Sequence, residues 1–327
     1  MIAAMGESSD PPPTIVVPVF NDWAALQPLV AGIAAASSGG RLPRLVIVDD
    51  GSSEPGPDLA ALAGTGASGE ILRLNRNLGH QGAIAVGLCH AVAKDDGGVI
   101  AIMDGDGEDR PEDLPRLLAA LSGNPAAIAV AERARRQVPL GFRVFYRIYS
   151  VIFRLLTGAH LGFGNFCALG PEAARRVTHM SELTIHLAAT LLSSRLPIER
   201  LSMDRGARYD GRSKMSFVAL TGHGLRSIAV FGETVLTRIV IAAVWLAGLG
   251  ALTLLIVLLM KLLGLASPGW TTTVAGVVLG LVVQTVVASL LGLFVIMRGR
   301  RSEALDPASL AKAMIRRIER FGPSAQD

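Results

Sequence analysis

From residue 14 onward, short apolar runs alternate with stretches whose apolar side chains recur at helical spacing. Residues 14–20 form a continuous apolar run of strand length, and residues 23–37 then follow a helical pattern that stops at Gly39-Gly40. Residues 44–50 and 70–74 predict a second and third strand, 78–94 a helix, 99–103 a fourth strand and 127–130 a fifth. Strands and helices in alternation make an α/β, Rossmann-like, mostly parallel sheet with helices on both faces. In such a sheet, ligands lie outside the carboxyl ends of the strands. Here that edge would gather Asn21, Asp22, Asp49, Asp50, Asn77, Asp104 and Asp106. So many unpaired acids would repel one another unless a cation or a base-and-ribose ligand met them.

The fourth strand runs into Asp104-Gly105-Asp106-Gly107-Glu108-Asp109. Residues i and i+2 of an extended chain face the same side, and Gly105 between the aspartates lets the backbone approach a ligand closely. Such a pair suits a hard divalent cation, Mg²⁺ or Mn²⁺. Mg²⁺ takes one or two protein carboxylates and completes its shell with water and substrate phosphates. A solvated acidic turn capping the next helix is the plain alternative, and Pro111-Glu112 suit such a first turn. An EF-hand loop is excluded, because Asp109 stands where it needs glycine and Pro115 where it needs glutamate.

Further along, the pattern changes. Residues 239–260 and 273–297 carry no charge over 22 and 25 positions, long enough for two bilayer spans. Half the chain is hydrophobic and the mean hydropathy is +0.46, too apolar for an ordinary soluble enzyme. Arg226 and Arg238 precede the first span, and Arg298, Arg300 and Arg301 follow the second. The positive-inside rule therefore places both ends of the hairpin in the cytoplasm. Between 133 and 154, six arginines interleave with aromatic and aliphatic residues; from Phe142 on the pattern is that of an amphipathic helix, suited equally to a membrane surface or to plain packing against the protein. A nucleic-acid patch is the rival reading of those arginines; it yields to the membrane spans in the same chain. The prolines and lack of an apolar core in residues 1–13 predict a disordered lead-in, not a signal peptide. Cys89 and Cys167 stand far apart in apolar surroundings and read as buried thiols, with neither a disulfide framework nor a zinc site. No Gly-x-Gly-x-x-Gly follows the first strand, which argues against a dinucleotide enzyme.

Five motifs in order carry a resemblance: Pro18-Val19-Phe20-Asn21-Asp22, Asp49-Asp50-Gly51-Ser52, Asn77-Leu78-Gly79-His80-Gln81-Gly82-Ala83, Asp104-Gly105-Asp106 with Pro111-Glu112, and Arg208-Tyr209-x-Gly211-x-Ser213-Lys214. Together they resemble the family-2 inverting glycosyltransferases of the GT-A fold. The last motif resembles, more narrowly, the polyprenyl-phosphate glycosyltransferases of the dolichol-phosphate mannose synthase-like subgroup. The likeness covers about residues 14 to 220. Asp22, Glu108, Asn165 and Met215 depart from the commonest residues at their positions.

The resemblance implies a GT-A domain over residues 14–214; the patterns above add an interfacial helix region over 215–235, two spans within 236–298 and a cytoplasmic tail over 299–327 with a short helix over 307–321. It implies a nucleoside diphosphate sugar bound by Pro18, Phe20, Asn21, Asp22, Asp49, Asp50, Asn77, Gly79, Gln81, Asp104 and Gly105. Asp49 and Asp50 would contact base and ribose; Asp104 and Asp106 would hold the metal on the diphosphate. Arg133, Arg208 and Lys214 would join the aspartates in catalysis, and Arg133, Arg143, Arg147, Ser213 and Lys214 would receive the phosphate of a polyprenyl acceptor. A phosphate acceptor needs no general base, whereas an acceptor hydroxyl would need a carboxylate such as Glu108 or Asp109. The expected partners are therefore the sugar donor, the lipid acceptor and the bilayer of the cell membrane, with no nucleic acid. Hairpin anchors of this group often self-associate, so a homo-oligomer is an expectation too. A processive polysaccharide synthase is disfavoured, because no tryptophan follows Gln-x-x-Arg. A non-catalytic nucleotide-sugar sensor or scaffold remains the reading from another class.

Overall fold

The computed structural model describes residues 11–37, 41–94, 97–121, 123–133, 140–209, 217–265, 267, 269–301 and 307–323. The chain divides into two compact units, one drawn from residues 1–150, 159–230 and 305–327, the other from 151–158 and 231–304.

The first unit is built on one mixed, mostly parallel sheet. In chain order it runs β1 (Thr14–Val19), α1 (Trp23–Ala36), β2 (Arg44–Asp49), α2 (Leu59–Ala63), β3 (Ser68–Leu74), α3 (His80–Ala93) and β4 (Ile100–Ile102). There follow α4 (Leu114–Ala119), β5 (Ile128–Arg133), α5 (Leu140–Thr157, whose residues from Val151 on belong to the second unit), β6 (Phe163–Leu169), α6 (Pro171–Thr178), α7 (Leu187–Ser193), β7 (Ile198–Met203) and α8 (Phe217–Ala229). The second unit contributes α9 (Gly232–Leu262) and α10 (Trp270–Arg301), and the first resumes with α11 (Pro307–Met314) and β8 (Ile315–Phe321). The eight strands lie in the order β7-β5-β6-β4-β1-β2-β3-β8.

Strand periodicity explains the two faces. Val16, Val46, Val48, Leu72 and Leu74 point into one buried cluster, with α3, α6 and α7; Ile15, Val17, Ile47 and Ile71 point into the other, with α1 and α4. Helix α3 lies hard on the sheet: a β-carbon at Gly87 would come within 2.5 Å of Val16 Cγ1. Register then levels the functional ends, because Val19 pairs with Asp49, Asp49 with Arg73, and Val16 with Ile102.

Three strands went unrecognised in the sequence. β6 runs antiparallel between β4 and β5, and β7 pairs parallel with β5. The third lies where residues 307–321 predicted a single short helix: the helix stops at Met314, and β8 adds antiparallel to β3. An uncovered β3 would leave a row of unpaired N–H and C=O groups, and β8 satisfies them.

In the second unit, α9 and α10 carry windows of mean hydropathy 2.5 and 2.4, long and apolar enough to cross a bilayer. They pack along Ala243, Gly250 and Val257, spaced seven residues apart and buried, while Val244, Trp245, Leu249, Leu290 and Phe294 are exposed. A β-carbon at Gly250 would meet Val282 Cγ2 at 2.6 Å, so the small residue lets the two helices approach closely.

Candidate active site

The carboxyl edge of the sheet is tied together strand by strand. Asn21, just past β1, adopts a positive φ of 47°, which asparagine tolerates better than most residues. Its N–H donates to Ser52 Oγ at 2.9 Å, and its Oδ1 accepts from the backbone of Ser53 at 2.9 Å. Phe20 is half exposed and Pro18 is buried in β1. At the end of β2, Asp49 accepts the Ser52 N–H at 2.9 Å and the Arg73 Nη1 at 2.9 Å. Asp50 turns to the other face and accepts the Leu78 N–H at 2.6 Å; burial pushes its carboxyl up against that donor. These two aspartates are 3% and 2% exposed, so internal donors meet charges that the sequence placed at an open edge. Asn77 accepts the Gly79 N–H at 3.0 Å and thereby shapes the entry to α3.

Beyond β4, Asp109 Oδ2 accepts the backbone N–H of Asp104 at 2.9 Å, and Asp106 Oδ1 accepts that of Glu108 at 2.9 Å. The acidic stretch is thus curled into a tight loop. Gly107 makes this turn at φ +83°, and the Tyr209 ring lies where its β-carbon would be, 2.5 Å away. The loop after β7 closes over it. Tyr209 N–H donates to Asp106 O at 3.0 Å and Gly206 N–H to Glu108 O at 2.9 Å. Arg208 reaches Asp106 Oδ2 and Glu108 Oε1, each at 2.9 Å, and Arg205 pairs with Glu108 Oε2. A small open cleft lies here, lined by Glu108, Asp109, Asn165, Asp204 and Arg205 among others.

On the opposite flank, His80 Nε2 at the start of α3 lies 3.0 Å from Asp104 Oδ1. Burial opposes protonation of this imidazole, but Asp104, Asp106 and Asp109 outweigh it and raise its pKa. Asn165 Nδ2 is 3.0 Å from the same nitrogen, and Gln81 Nε2 donates to Asn165 Oδ1 at 3.1 Å. Buried Gln81 in turn accepts the Leu187 N–H at 2.5 Å. A chain of polar contacts therefore runs from Asp104 through α3 and β6 to the start of α7.

Burial, and then the neighbouring Asp104, raise the pKa of Asp106, while Arg208 and Arg205 oppose the shift. A pair of carboxylates this close, with Asp106 partly buried, is a fitting donor set for a divalent cation. Among the described residues no third His, Cys, Asp or Glu completes a closed metal cage. An ion held by Asp104 and Asp106 would keep positions for water and phosphate oxygens, as Mg²⁺ and Mn²⁺ prefer.

Of the residues expected from sequence, Asp104, Gly105, Asp106 and Arg208 lie together, and Gln81 reaches them through Asn165. A β-carbon at Gly105 would stand 3.2 Å from Pro18 O, which brings the ends of β1 and β4 into contact. Asp22 lies at the start of α1. Arg147 is exposed on α5. Ser213 and Lys214, and the side chains of Arg133 and Arg143, lie outside the described residues. Sequence reasoning missed His80, Arg205 and Arg73 as site residues. His80 was visible within its motif and Arg205 in a basic loop, but Arg73 read only as a strand residue.

Comparison with known proteins bears on this edge. Residues 14–183 match the profile of glycosyl transferase family 2, more than half of the 327-residue chain. The chain belongs to that family. It is similar to undecaprenyl-phosphate 4-deoxy-4-formamido-L-arabinose transferases of Salmonella paratyphi A and Salmonella dublin, 29% identical over 216 residues. The match spans 63% of this chain and 63% of each relative, so it leaves more than a third of the relatives' length unmatched. Among solved structures, mannosyl-3-phosphoglycerate synthase from Rubrobacter xylanophilus aligns at TM-score 0.49 and 16% identity, covering 68% of this chain and 73% of that one. Glucosyl-3-phosphoglycerate synthase from Mycobacterium tuberculosis, crystallised with Mn²⁺, UDP and glucosyl-3-phosphoglycerate, aligns at TM-score 0.45 and 17% identity, covering 69% and 79%.

Proposed function

We propose that this family-2 member transfers one sugar from a nucleoside diphosphate sugar to a membrane polyprenyl phosphate, with inversion at the anomeric carbon. The observation that carries the reading is the convergence of Asp104 and Asp106 with His80, Arg205 and Arg208 at the sheet edge. The same chain bears two helices of bilayer-spanning length, and the Salmonella relatives are named for transfer involving undecaprenyl phosphate. Both ends of the hairpin lie in the cytoplasm in this reading, with α5 and α8 at the membrane surface.

Asp104 and Asp106 would hold Mg²⁺ or Mn²⁺, which when bound neutralises charge on the departing diphosphate. Arg208 and Arg205, now spent on Asp106 and Glu108, can turn to phosphate oxygens, with Arg133 and Lys214 as further cationic candidates. His80 keeps Asp104 oriented from the α3 side, and the edge residues from Pro18 to Gln81 enclose the nucleotide. The acceptor oxygen belongs to a phosphate monoester, largely dianionic at neutral pH, since its second pKa is about 6. It attacks opposite the leaving group without a protein base.

In this reading no carboxylate has to act as a base, and Asp109 instead accepts the Asp104 N–H that folds the acidic loop. The test is to incubate purified protein with polyprenyl phosphate and a panel of labelled nucleotide sugars. One donor should give a chloroform-soluble product that Asp106→Ala abolishes. No lipid-linked product with any donor, or an undiminished yield from Asp106→Ala, overturns the reading.

A further inference from the structure

The segment after α10 ends beside the proposed donor pocket. Glu319 of β8 accepts from Arg73 Nε at 3.3 Å and Nη2 at 3.0 Å, while Arg73 Nη1 donates to Asp49 Oδ2 at 2.9 Å. One guanidinium therefore bridges a carboxylate of the tail and the aspartate assigned to the nucleotide base. Its side chain is only 11% exposed. The Trp23 ring covers it at 4.9 Å, and the backbone at Gly56 presses so close that a β-carbon there would clash with Nη2. The planar fork has little freedom, and two of its three hydrogen bonds to acids come from the tail. The tail also grips the loop that leads into α3: Asn75 donates its N–H to Met314 O at 2.9 Å and its side-chain amide to Ala313 O at 3.2 Å.

We propose that the tail is a working wall of the donor pocket, in which Glu319 is a positioning residue that orients Asp49 through Arg73. This rests on the transferase reading above. Covering the edge of β3 would by itself explain why β8 exists. It does not explain a carboxylate–guanidinium–carboxylate chain, buried at Arg73 and Asp49, that ends at the aspartate proposed to meet the base, on the face opposite the Arg320–Glu70 contact of the same strand. Residue 319 would then act on nucleotide affinity from 270 positions downstream of Asp49.

The test uses the full-length protein and the nucleotide sugar that labels lipid in the panel assay. Donor KM, acceptor KM and kcat are measured for the wild type, Glu319→Ala, Glu319→Gln and Arg320→Ala. Glu319→Ala should raise donor KM about tenfold, with acceptor KM and kcat within about twofold of the wild type. Glu319→Gln keeps an oxygen acceptor for Arg73 and should recover most of the loss. Arg320→Ala removes a contact on the other face of the strand and should leave donor KM in place. An unmoved donor KM in Glu319→Ala, or an equal rise in Arg320→Ala, overturns the inference and leaves the transferase reading standing. Should Glu319→Ala fail to fold, Arg73→Lys takes its place: it keeps the charge but loses the fork, and nucleoside diphosphate affinity should fall about tenfold. An unchanged affinity overturns the inference. A wild type that labels lipid from no donor removes the transferase reading and this inference with it.

Discussion

Asp104 and Asp106 stand two positions apart on chain that has just left β4, and their neighbours decide what they can do. Asp109 and Glu108 fold the stretch back on itself, with Asp106 held by Arg208 under the Tyr209 loop and Asp104 held by His80 from the α3 flank. Asp106→Asn keeps the shape and removes the charge. Lipid-linked transfer should fall at least about 100-fold while donor KM changes little, as steady-state kinetics would show. Gly107 offers a purely steric test. At φ +83°, beneath the Tyr209 ring, an alanine is strained in backbone and meets the ring at 2.5 Å. Gly107→Ala should cost about 1–3 kcal/mol in thermal unfolding and slow transfer by displacing the loop that carries Arg208.

Two element contacts carry a pH signature. Glu70 of β3 faces His90 of α3, Lys94 just past the end of that helix, and Arg320 of β8. The His90 hydrogen bond, and then that of Lys94, outweigh the opposing effect of burial and hold its carboxyl at about 2, against an ordinary 4.5. A carboxyl depressed on folding stabilises above the unfolded value, and that contribution disappears as pH falls from about 4.5 to 2. Glu70→Gln should flatten the difference from wild type in that window, by up to about 3 kcal/mol and less after screening of half-exposed Lys94. His186 works over a higher range. It is buried at the start of α7, its Nδ1 accepts the Ala189 N–H, and its ring lies 4.4 Å from that of His223. Burial, then His223, push it down to about 3, so the folded chain holds it neutral where an unfolded chain takes up a proton. Stability should decline as pH drops below 6.5, by about 2 kcal/mol at pH 5. His186→Asn, which keeps a capping acceptor, should remove that slope in thermal shifts compared at pH 7 and 5.

At the scale of the whole molecule, the apolar surface of α9 and α10 calls for lipid. Large side chains such as Val244, Trp245 and Leu291 stand exposed along most of their length. Membranes washed with alkaline carbonate should retain the protein, and release into the wash would count against spanning. Orientation can be read with a membrane-impermeant thiol reagent. Cys89 and Cys167 are buried, and burial pushes the Cys167 thiol up, so the natural chain should label weakly. Ser267→Cys, exposed between α9 and α10, should label from outside intact cells, and Ala308→Cys on α11 only after lysis. The reverse pattern would invert the topology.

What the sequence by itself determined were the features written locally. The apolar run of β1, the acids following β2 and β4, and two uncharged stretches of bilayer length each depend on residues close in the chain, and five motifs in order pointed to the family. Tertiary structure decided what depends on distant partners. Residues 315–321 carry Ile315, Ile318 and Phe321 at a spacing of three, which reads as helix; they form a strand because the edge of β3 has backbone groups to pair. Asp49 and Asp50 were legible as acids at a strand end, but not the internal partners that hold them, because Arg73 and the Leu78 N–H arrive from another strand and its loop. Arg73 and Glu319 meet across 246 positions, a contact no local pattern encodes, because only the order of strands in the sheet makes them neighbours.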